Sequence, residues 1–176
     1  MAKLNYIFII VFSLSLISCQ SPAPFSNLKL NFDHLEKISL NISEIEIISI
    51  YKPPLKRPNV DHLYEETLSE IASRYFLYKF NTLDNNKRLR IVIKEASLKK
   101  NTKKNSQKSA IINLFNNKSS TSYYAVLKVE IQIINERGFI ISKINSEVFL
   151  SKSDTKNLSI NEDLMIYFEI CEKIIM

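Results

Sequence analysis

The sequence of 176 residues contains one glycine, two histidines, two cysteines and no tryptophan, and these shortages exclude several classes of protein. With Gly138 as its single glycine, the chain cannot form a glycine-rich phosphate loop, a dinucleotide-binding fingerprint or a nucleophile elbow. The two cysteines, Cys19 and Cys171, lie far apart, which excludes a zinc ribbon, a thioredoxin-like pair and a disulfide-stapled fold. The common enzyme motifs are therefore missing.

The few residues that could serve catalysis or metal binding each have a simpler structural interpretation. His34 and His62 do not have the spacing of metal ligands, and His62 lies at a predicted helix start, where a surface position is expected. The adjacent acids Glu65 and Glu66 point in different directions on a helix and suit the positive end of its dipole. Cys171 has the helical spacing of a small core residue. We expect a protein that is not an enzyme and that needs no cofactor.

The amino terminus has the three parts of a bacterial secretory signal. Lys3 supplies the positive charge, and an apolar run from Tyr6 to Ile17 follows it. A helix of about twelve residues reaches about 18 Å, which is too short for the roughly 30 Å hydrocarbon layer of a bilayer. Residues 1–18 are therefore predicted to be a signal peptide and not a membrane-spanning helix.

A cysteine follows this run directly, and Leu16, Ile17, Ser18 and Cys19 resemble the lipobox of bacterial lipoproteins. A thiolate is nucleophilic enough to accept a diacylglyceryl group as a thioether. The alternative is an ordinary secreted protein in which the cysteine is accidental. We predict that Cys19 becomes the lipidated first residue of the mature chain and that its acyl chains hold the protein on a membrane.

The predicted export restricts where the protein resides and what it meets. Gln20 follows the lipidated cysteine, whereas the inner-membrane retention signal of enteric lipoproteins has Asp there, so resemblance to that sorting rule implies the outer membrane, facing the periplasm. The formal charge of +6 includes Lys3 of the signal, and the abundance of lysine, asparagine and isoleucine is typical of an A+T-rich genome. We expect a membrane and an envelope protein as partners, and no nucleic acid.

The mature chain has room for one domain, because removing 18 of 176 residues leaves 158. Residues 19–30 contain Pro22 and Pro24 and are predicted to be an extended tether, and residues 31–176 a single domain. Inside the domain, the segment 99–122 is rich in lysine and has no acid, which predicts a loop. This loop is either a basic flap that contacts anionic lipid or a mobile, solvated segment. Its candidate lipid contacts are Lys99, Lys100, Lys103 and Lys104.

Hydrophobic periodicity predicts the element order strand, helix, strand, strand, strand, helix. The first strand changes phase near Ser43-Glu44, which indicates a bulge. Gly138 closes a turn that suits a hairpin, and Ser159 with Glu162 forms a capping box before the last helix. The predicted spans are 38–51, 59–80, 88–98, 123–134, 139–150 and a closing helix with Leu164, Phe168, Cys171 and Ile175 on its apolar stripe.

These elements predict an α+β fold, in which two helices cover one face of a mostly antiparallel four-stranded sheet as a two-layer sandwich. Neither an isolated sheet nor an isolated amphipathic helix can bury its own apolar side. The first and second strands, joined by a helix, either pair in parallel or lie apart.

The lipobox, the single domain and the element order together resemble the LptE family of lipopolysaccharide-assembly lipoproteins. The local likeness lies in the strand 123–131, Tyr-Tyr-Ala-Val-Leu-Lys-Val-Glu-Ile, and in the returning strand 144–149. The resemblance implies a non-catalytic accessory subunit in envelope biogenesis that plugs an outer-membrane β-barrel. It identifies no binding residues.

Two other groups of lipoproteins are also similar. The architecture resembles PqiC-like auxiliary lipoproteins of ABC-type lipid transporters, which would imply binding to lipid or to a transporter complex. The prolines before the first helix and the hairpin segment 135–139 resemble small lipoproteins of alphaproteobacteria, a likeness that implies no activity.

Overall fold

The computed structural model describes residues 29–83, 86–104, 119–155 and 158–176, so the predicted signal, lipobox and most of the tether lie outside the described residues. Four strands form one sheet, and two short strands form a second. The elements in chain order are β1 (Ile38–Leu40), β2 (Glu44–Ser49), a 3₁₀ turn (Asp61–Leu63), α1 (Leu68–Lys79), β3 (Phe80–Thr82), β4 (Arg88–Lys104), β5 (Ser119–Ile134), β6 (Ile140–Asp154) and α2 (Ile160–Ile175).

The larger sheet has the strand order β2-β4-β5-β6. The pair β2 and β4 is parallel, because α1 carries the chain back between them, and the other two pairs are antiparallel hairpins. The predicted α+β fold with two helices and a mostly antiparallel four-stranded sheet is confirmed. The sequence left open whether the strands on either side of the first helix pair in parallel or lie apart. In the structure they pair in parallel, as β2 and β4.

One hydrophobic core lies between the sheet and the helices. Burying apolar side chains from both layers stabilises the fold by about 25 cal/mol for each Å² removed from water. The sheet supplies Leu89, Ile91, Ile93, Ala96, Leu98, Tyr123, Ala125, Leu127 and Val129, and the helices supply Leu68, Ile71, Ala72, Ile166, Tyr167, Ile170, Cys171 and Ile174.

The prediction of one first strand with a bulge near Ser43-Glu44 is wrong. The segment forms two strands, and each belongs to a different sheet. β1 pairs in parallel with β3, whereas β2 pairs with β4. Between them Ile42 turns into the core, and the backbone N–H of Ser43 donates to the carbonyl of Lys87 at 2.8 Å. The change of hydrophobic phase therefore marks a crossing between sheets.

The predicted helix over 59–80 begins later than expected. Thr67 starts α1 with a capping box, in which its hydroxyl accepts from the N–H of Glu70 and the Glu70 carboxylate accepts from the N–H of Thr67 at 2.7 Å. Upstream, Asp61–Leu63 makes only one 3₁₀ turn, and Tyr64 is extended. The upstream segment is held by contacts to β4 and is not part of the helix.

The hairpin and the last helix agree with the sequence prediction. Gly138 has φ 83°, in the left-handed region that a residue without Cβ adopts easily, and it connects β5 to β6. Ser159 and Glu162 form the predicted capping box of α2. Cys171 is buried in the core, while Leu164, Phe168 and Ile175 of the predicted stripe pack partly buried beside it.

The predicted lysine-rich loop 99–122 is wrong at both ends. β4 continues to Lys104 and β5 already begins at Ser119, with Lys99 opposite Tyr124 and Lys103 opposite Ser120. The strand can extend because a bulge between Ile93 and Glu95 restores the core-facing phase for Ala96 and Leu98. Residues 105–118, including the apolar stretch 110–115, lie outside the described residues.

Among the described residues, no helix combines the length and the apolar character needed to cross a membrane.

Candidate functional site

The four candidate lysines do not form one cluster. Successive residues of a strand point to opposite sides of the sheet, so Lys99 and Lys103 lie on the side away from the helices, and Lys100 lies on the helix side. Lys99 and Lys103 are exposed, whereas Lys100 is half-buried and paired with an acid of α2. The strand thus separates Lys99 and Lys103 from Lys100, and lipid contact by Lys99, Lys100, Lys103 and Lys104 stays a prediction.

Lys100 belongs instead to a polar cavity of about 510 Å³ at one end of the core. The cavity lies between the segment before α1, the distal part of β4 and the first turn of α2. Both cationic and acidic side chains face it. Its walls are Arg57, Pro58, Val60, Leu63, Tyr64, Lys100, Asn101, Thr102 and Asp163.

Asp163 is the centre of the hydrogen bonds in this cavity. Its Oδ1 accepts from Lys100 Nζ at 2.6 Å and from the hydroxyl of Tyr123, and its Oδ2 accepts from the hydroxyl of Tyr64 at 3.4 Å. The position in the first turn of α2 also places its negative charge near the positive end of the helix dipole. One carboxylate thus joins α2 to β4, to β5 and to the segment before α1.

A stacked pair of tyrosines forms the inner wall. The rings of Tyr64 and Tyr167 lie 3.7 Å apart between centroids and are nearly parallel, at 5°. The Tyr167 hydroxyl donates to the backbone carbonyl of Glu66 at 2.6 Å. The stack therefore fixes the extended segment before α1 onto α2.

The acid–base character of the site favours binding over proton transfer. Burial raises the pKa of Tyr64, Tyr123 and Tyr167, and hydrogen bonds with Asp163 raise the pKa of Tyr64 and Tyr123 further. Burial also raises the pKa of the Cys171 thiol to about 12. These groups stay protonated near neutral pH, so they can donate hydrogen bonds but are poor bases or nucleophiles.

Asp61 lies fully buried behind the cavity. Its Oδ2 accepts from the backbone N–H of Leu98 at 2.9 Å, while its Oδ1 and the buried Nδ1 of His62 have no hydrogen-bond partner among the described residues. Burial raises the pKa of Asp61 to about 6, although the hydrogen bond from Leu98 acts in the opposite direction. The bond fixes the 3₁₀ turn to β4.

The raised pKa of Asp61 predicts a pH-dependent stability difference between the protein and its Asp61→Asn variant. The pKa is higher in the folded chain than the value of about 3.9 expected when unfolded, so folding favours the protonated acid. The stabilisation is complete below about pH 4 and is lost as the pH rises through 6. We expect the free energy of unfolding of the wild type to fall, relative to Asp61→Asn, by about 2 kcal/mol over this range.

Urea unfolding of both proteins at several pH values between 4 and 7 measures this difference. Asparagine keeps an acceptor for the Leu98 N–H but carries no charge, and other titrating groups cancel in the comparison. Parallel curves for the two proteins across this range would contradict the account of Asp61.

The remaining predicted candidates are placed apart from this chemistry. His34 is exposed, and Glu65 is exposed while Glu66 pairs with Arg74 at 2.7 Å. Within the described ranges, no group of three His, Cys, Asp or Glu side chains is arranged to hold a metal ion.

Sequence reasoning did not find Tyr64 and Asp163 of the cavity wall, nor Tyr123 and Asp61 behind it. Asp163 follows the capping-box glutamate, a position where a first-turn acid is usually explained by the helix dipole alone. Lys100 was the one residue in the sequence that could have indicated the cavity. Once β4 resumes its alternation after the bulge, Lys100 lies on the core side of the strand. A charged residue there needs an acidic partner.

A second feature is an apolar part of the sheet that the helices leave open. On the helix-facing side, Ile144 is opposite Ile131, and Val148 is opposite Leu127. Ile144 is 60% exposed and Val148 37% exposed, and Ile131 and Ile133 beside them are half-buried. At the other end of β6, α2 and the strand line a small cavity with Leu150 and Lys152, and Lys152 pairs with Glu169. We call the residues Ile131, Ile133, Ile144 and Val148 the uncovered patch.

Comparison with known proteins gives matches only among solved structures. No family model and no curated protein matches the chain. Rare lipoprotein B from Shewanella oneidensis is 14% identical, with a TM-score of 0.35 over 76% of this chain and 86% of that protein. A minor lipoprotein from Acinetobacter baumannii is 13% identical, with a TM-score of 0.33 over 75% of this chain and 80% of that protein.

Proposed function

We propose that the protein is a lipid-anchored lipoprotein of the outer membrane that faces the periplasm and acts as a non-catalytic accessory subunit in envelope biogenesis. The anchor is Cys19, at the end of the lipobox Leu16, Ile17 and Ser18. Gln20 after it supports the outer membrane as the destination.

The proposal that the domain binds a partner protein rests on the uncovered patch. Exposed aliphatic side chains on a sheet cost free energy in water, and a contiguous apolar surface with polar residues around it is typical of an interaction site. Ile144 and Val148 lie on the helix-facing side of β6 and remain exposed to solvent there. A partner that covers this side would complete the two-layer packing.

The partner class follows from the resemblance in the sequence. A long strand at 123–131 with its returning hairpin favours an LptE-like role, in which the partner is an outer-membrane β-barrel of lipopolysaccharide assembly. The alternative is an auxiliary role in an ABC-type lipid transporter. Lys99 and Lys103, which are exposed on the opposite side of the sheet, favour this alternative because they could contact anionic lipid.

Site-specific photocrosslinking in intact cells tests the proposal. A photoreactive phenylalanine analogue at Ile144 is expected to crosslink to a β-barrel protein identified by mass spectrometry, because the side chain lies in the uncovered patch. The matched control places the analogue at Leu77, which is also exposed but lies on α1. The control should give less than about a tenth of that product.

The identity of the crosslinked protein separates the two roles. Recovery of an ABC-type or lipid-transfer complex without a barrel would move the protein to the auxiliary class. Equal crosslinking from Ile144 and Leu77 would contradict the patch as the binding surface. A crosslink between two copies of the chain is distinguished from both by its mass.

A further inference from the structure

β6 is an edge strand with an unusually open edge. It pairs with β5 except at a bulge at Ile141, and no other strand of the described residues pairs with its outer edge. Its apolar residues are exposed, with Phe149 at 66%. Unpaired backbone groups along such an edge bind another strand readily, and proteins usually block them with a charge that points inward, a proline or a very short strand. β6 is 15 residues long and contains no proline.

The side of β6 that faces away from the helices has a self-complementary pattern. Lys143, Asn145 and Glu147 follow each other at alternate positions, so they share that side of the sheet. In an antiparallel pair of identical strands with Asn145 on the twofold axis, each residue faces the one equally far from Asn145. Lys143 then lies opposite Glu147 of the second copy, and Glu147 lies opposite its Lys143.

We propose that two copies of the protein pair through antiparallel β6 strands, with Asn145 on the twofold axis, and join their four-stranded sheets into one. Residues 142–148 of each copy would take part, between the bulge at Ile141 and the contact of Leu150 with α2. The pairing would form roughly six inter-strand hydrogen bonds, because alternate residue pairs exchange two bonds each. This interface uses the outer backbone edge of β6, whereas the uncovered patch, which includes Ile144 and Val148 of the same strand, presents side chains on its helix-facing side.

Ion pairs inside each copy already extend to this edge. Lys143 pairs with Glu130 at 3.0 Å, and Glu130 also pairs with Lys94. Glu147 pairs with Lys128 at 2.7 Å. Charges of alternating sign would therefore continue from β5 of one copy across both β6 strands to β5 of the other.

The charges also select the register. A twofold axis at Lys143 or at Glu147 would place two like charges directly opposite each other, which is destabilising. An axis at Ile144 or Ser146 would leave Lys143 and Glu147 without each other as partners, so among these positions Asn145 alone gives both cross-copy charge pairs.

The helices leave space for a second strand. α2 meets β6 at Leu150 and Lys152, where Lys152 pairs with Glu169, and both positions lie beyond the paired residues 142–148. A second copy can therefore approach the edge from 142 to 148 away from this contact.

Disulfide formation at the twofold axis tests the pairing. Asn145→Cys is expected to give an oxidised dimer in membranes of intact cells, since its two thiols would lie on facing positions. Background is low because Cys171 is buried and Cys19 is predicted to carry lipid. The control Ser151→Cys, on the same strand and the same side but six residues away, should give about a tenth as much dimer or less.

Charge reversal provides a second measurement that does not depend on a new thiol. Lys143→Glu or Glu147→Lys alone is expected to weaken dimerisation of the full chain in detergent about tenfold, because both cross-copy pairs become repulsive. Mixing the two single variants restores opposite charges across the interface, while each copy keeps the internal charges that it has in its own homodimer, so the mixed dimer should form about tenfold more readily than either homodimer. Circular dichroism checks that each variant is folded. Equal crosslinking at 145 and 151, a monomeric wild type, or a mixed dimer as weak as the two homodimers would overturn the proposal.

Discussion

Replacing Tyr167 with alanine is expected to lower the free energy of unfolding by about 3–5 kcal/mol, because the change removes a large buried ring and leaves a cavity. The side chain has no exposed surface, and it stacks on Tyr64 at 3.7 Å. It also donates the hydrogen bond to the carbonyl of Glu66. Single domains are stable by about 5–15 kcal/mol, so this loss would remove a large part of the total.

Two further variants separate the contributions of the Tyr167 ring and hydroxyl. Tyr167→Phe keeps the stack but leaves the Glu66 carbonyl without its donor, and we expect a loss of about 1–3 kcal/mol. Met165→Ala, two residues away on the exposed side of α2, should change the free energy by less than about 0.5 kcal/mol. Urea unfolding measures all three. If Tyr167→Ala and Met165→Ala had similar effects, Tyr167 could not hold the segment before α1.

Replacing Cys19 with alanine is expected to move the protein out of the membrane fraction. Alanine has no thiol to accept the diacylglyceryl group, so neither lipidation nor the cleavage that depends on it can follow. The acyl chains, each buried methylene of which contributes about 0.8 kcal/mol to membrane binding, are then absent. The uncleaved apolar run from Tyr6 to Ile17 remains, but it is too short to span the bilayer. Fractionation after carbonate washing, followed by detection of a carboxyl-terminal tag, measures the change.

Cys171→Ala is the matched control for Cys19. It removes the other cysteine, which is buried in α2, and should leave the protein in the membrane fraction. A Cys19→Ala protein that stays membrane-bound with a normally shortened chain would contradict the lipobox interpretation.

The sequence predicts well those elements whose signals are local. Alternation over 123–134, the glycine at 138 and the capping box at Ser159 each concern a few neighbouring residues, and the structure has the strand, the turn and the helix there. Hydrophobic periodicity was also sufficient for the fold class, since two amphipathic helices need one sheet face to cover.

Elements that depend on distant contacts were predicted less well. The phase change near Ser43 could indicate a bulge or a crossing between sheets, and the choice depends on β3, almost forty residues later. Lysine content suggested a loop at 99–122, but strand pairing with 119–122 outweighs the low strand propensity of lysine. α1 begins later than predicted because the segment before it is bound to β4, where the Asp61 carboxylate accepts from the backbone N–H of Leu98.

The cavity could not be read from the sequence, since its residues come together only in the folded chain. Tyr64, Lys100 and Asp163 belong to three separate segments that the sheet and α2 bring within hydrogen-bond distance. The uncovered patch could not be predicted from the sequence either. Periodicity predicts which side of β6 faces the helices, but it does not predict which residues on that side α2 covers.

The intact mass of the mature protein tests the lipid anchor most directly. Protein extracted from membranes with detergent should have lost residues 1–18 and should carry a diacylglyceryl group and an acyl chain on Cys19. The same measurement on Cys19→Ala should give a chain without lipid. A wild-type mass that corresponds to an unmodified Cys19, or to a chain that begins at another residue, would contradict the lipoprotein account.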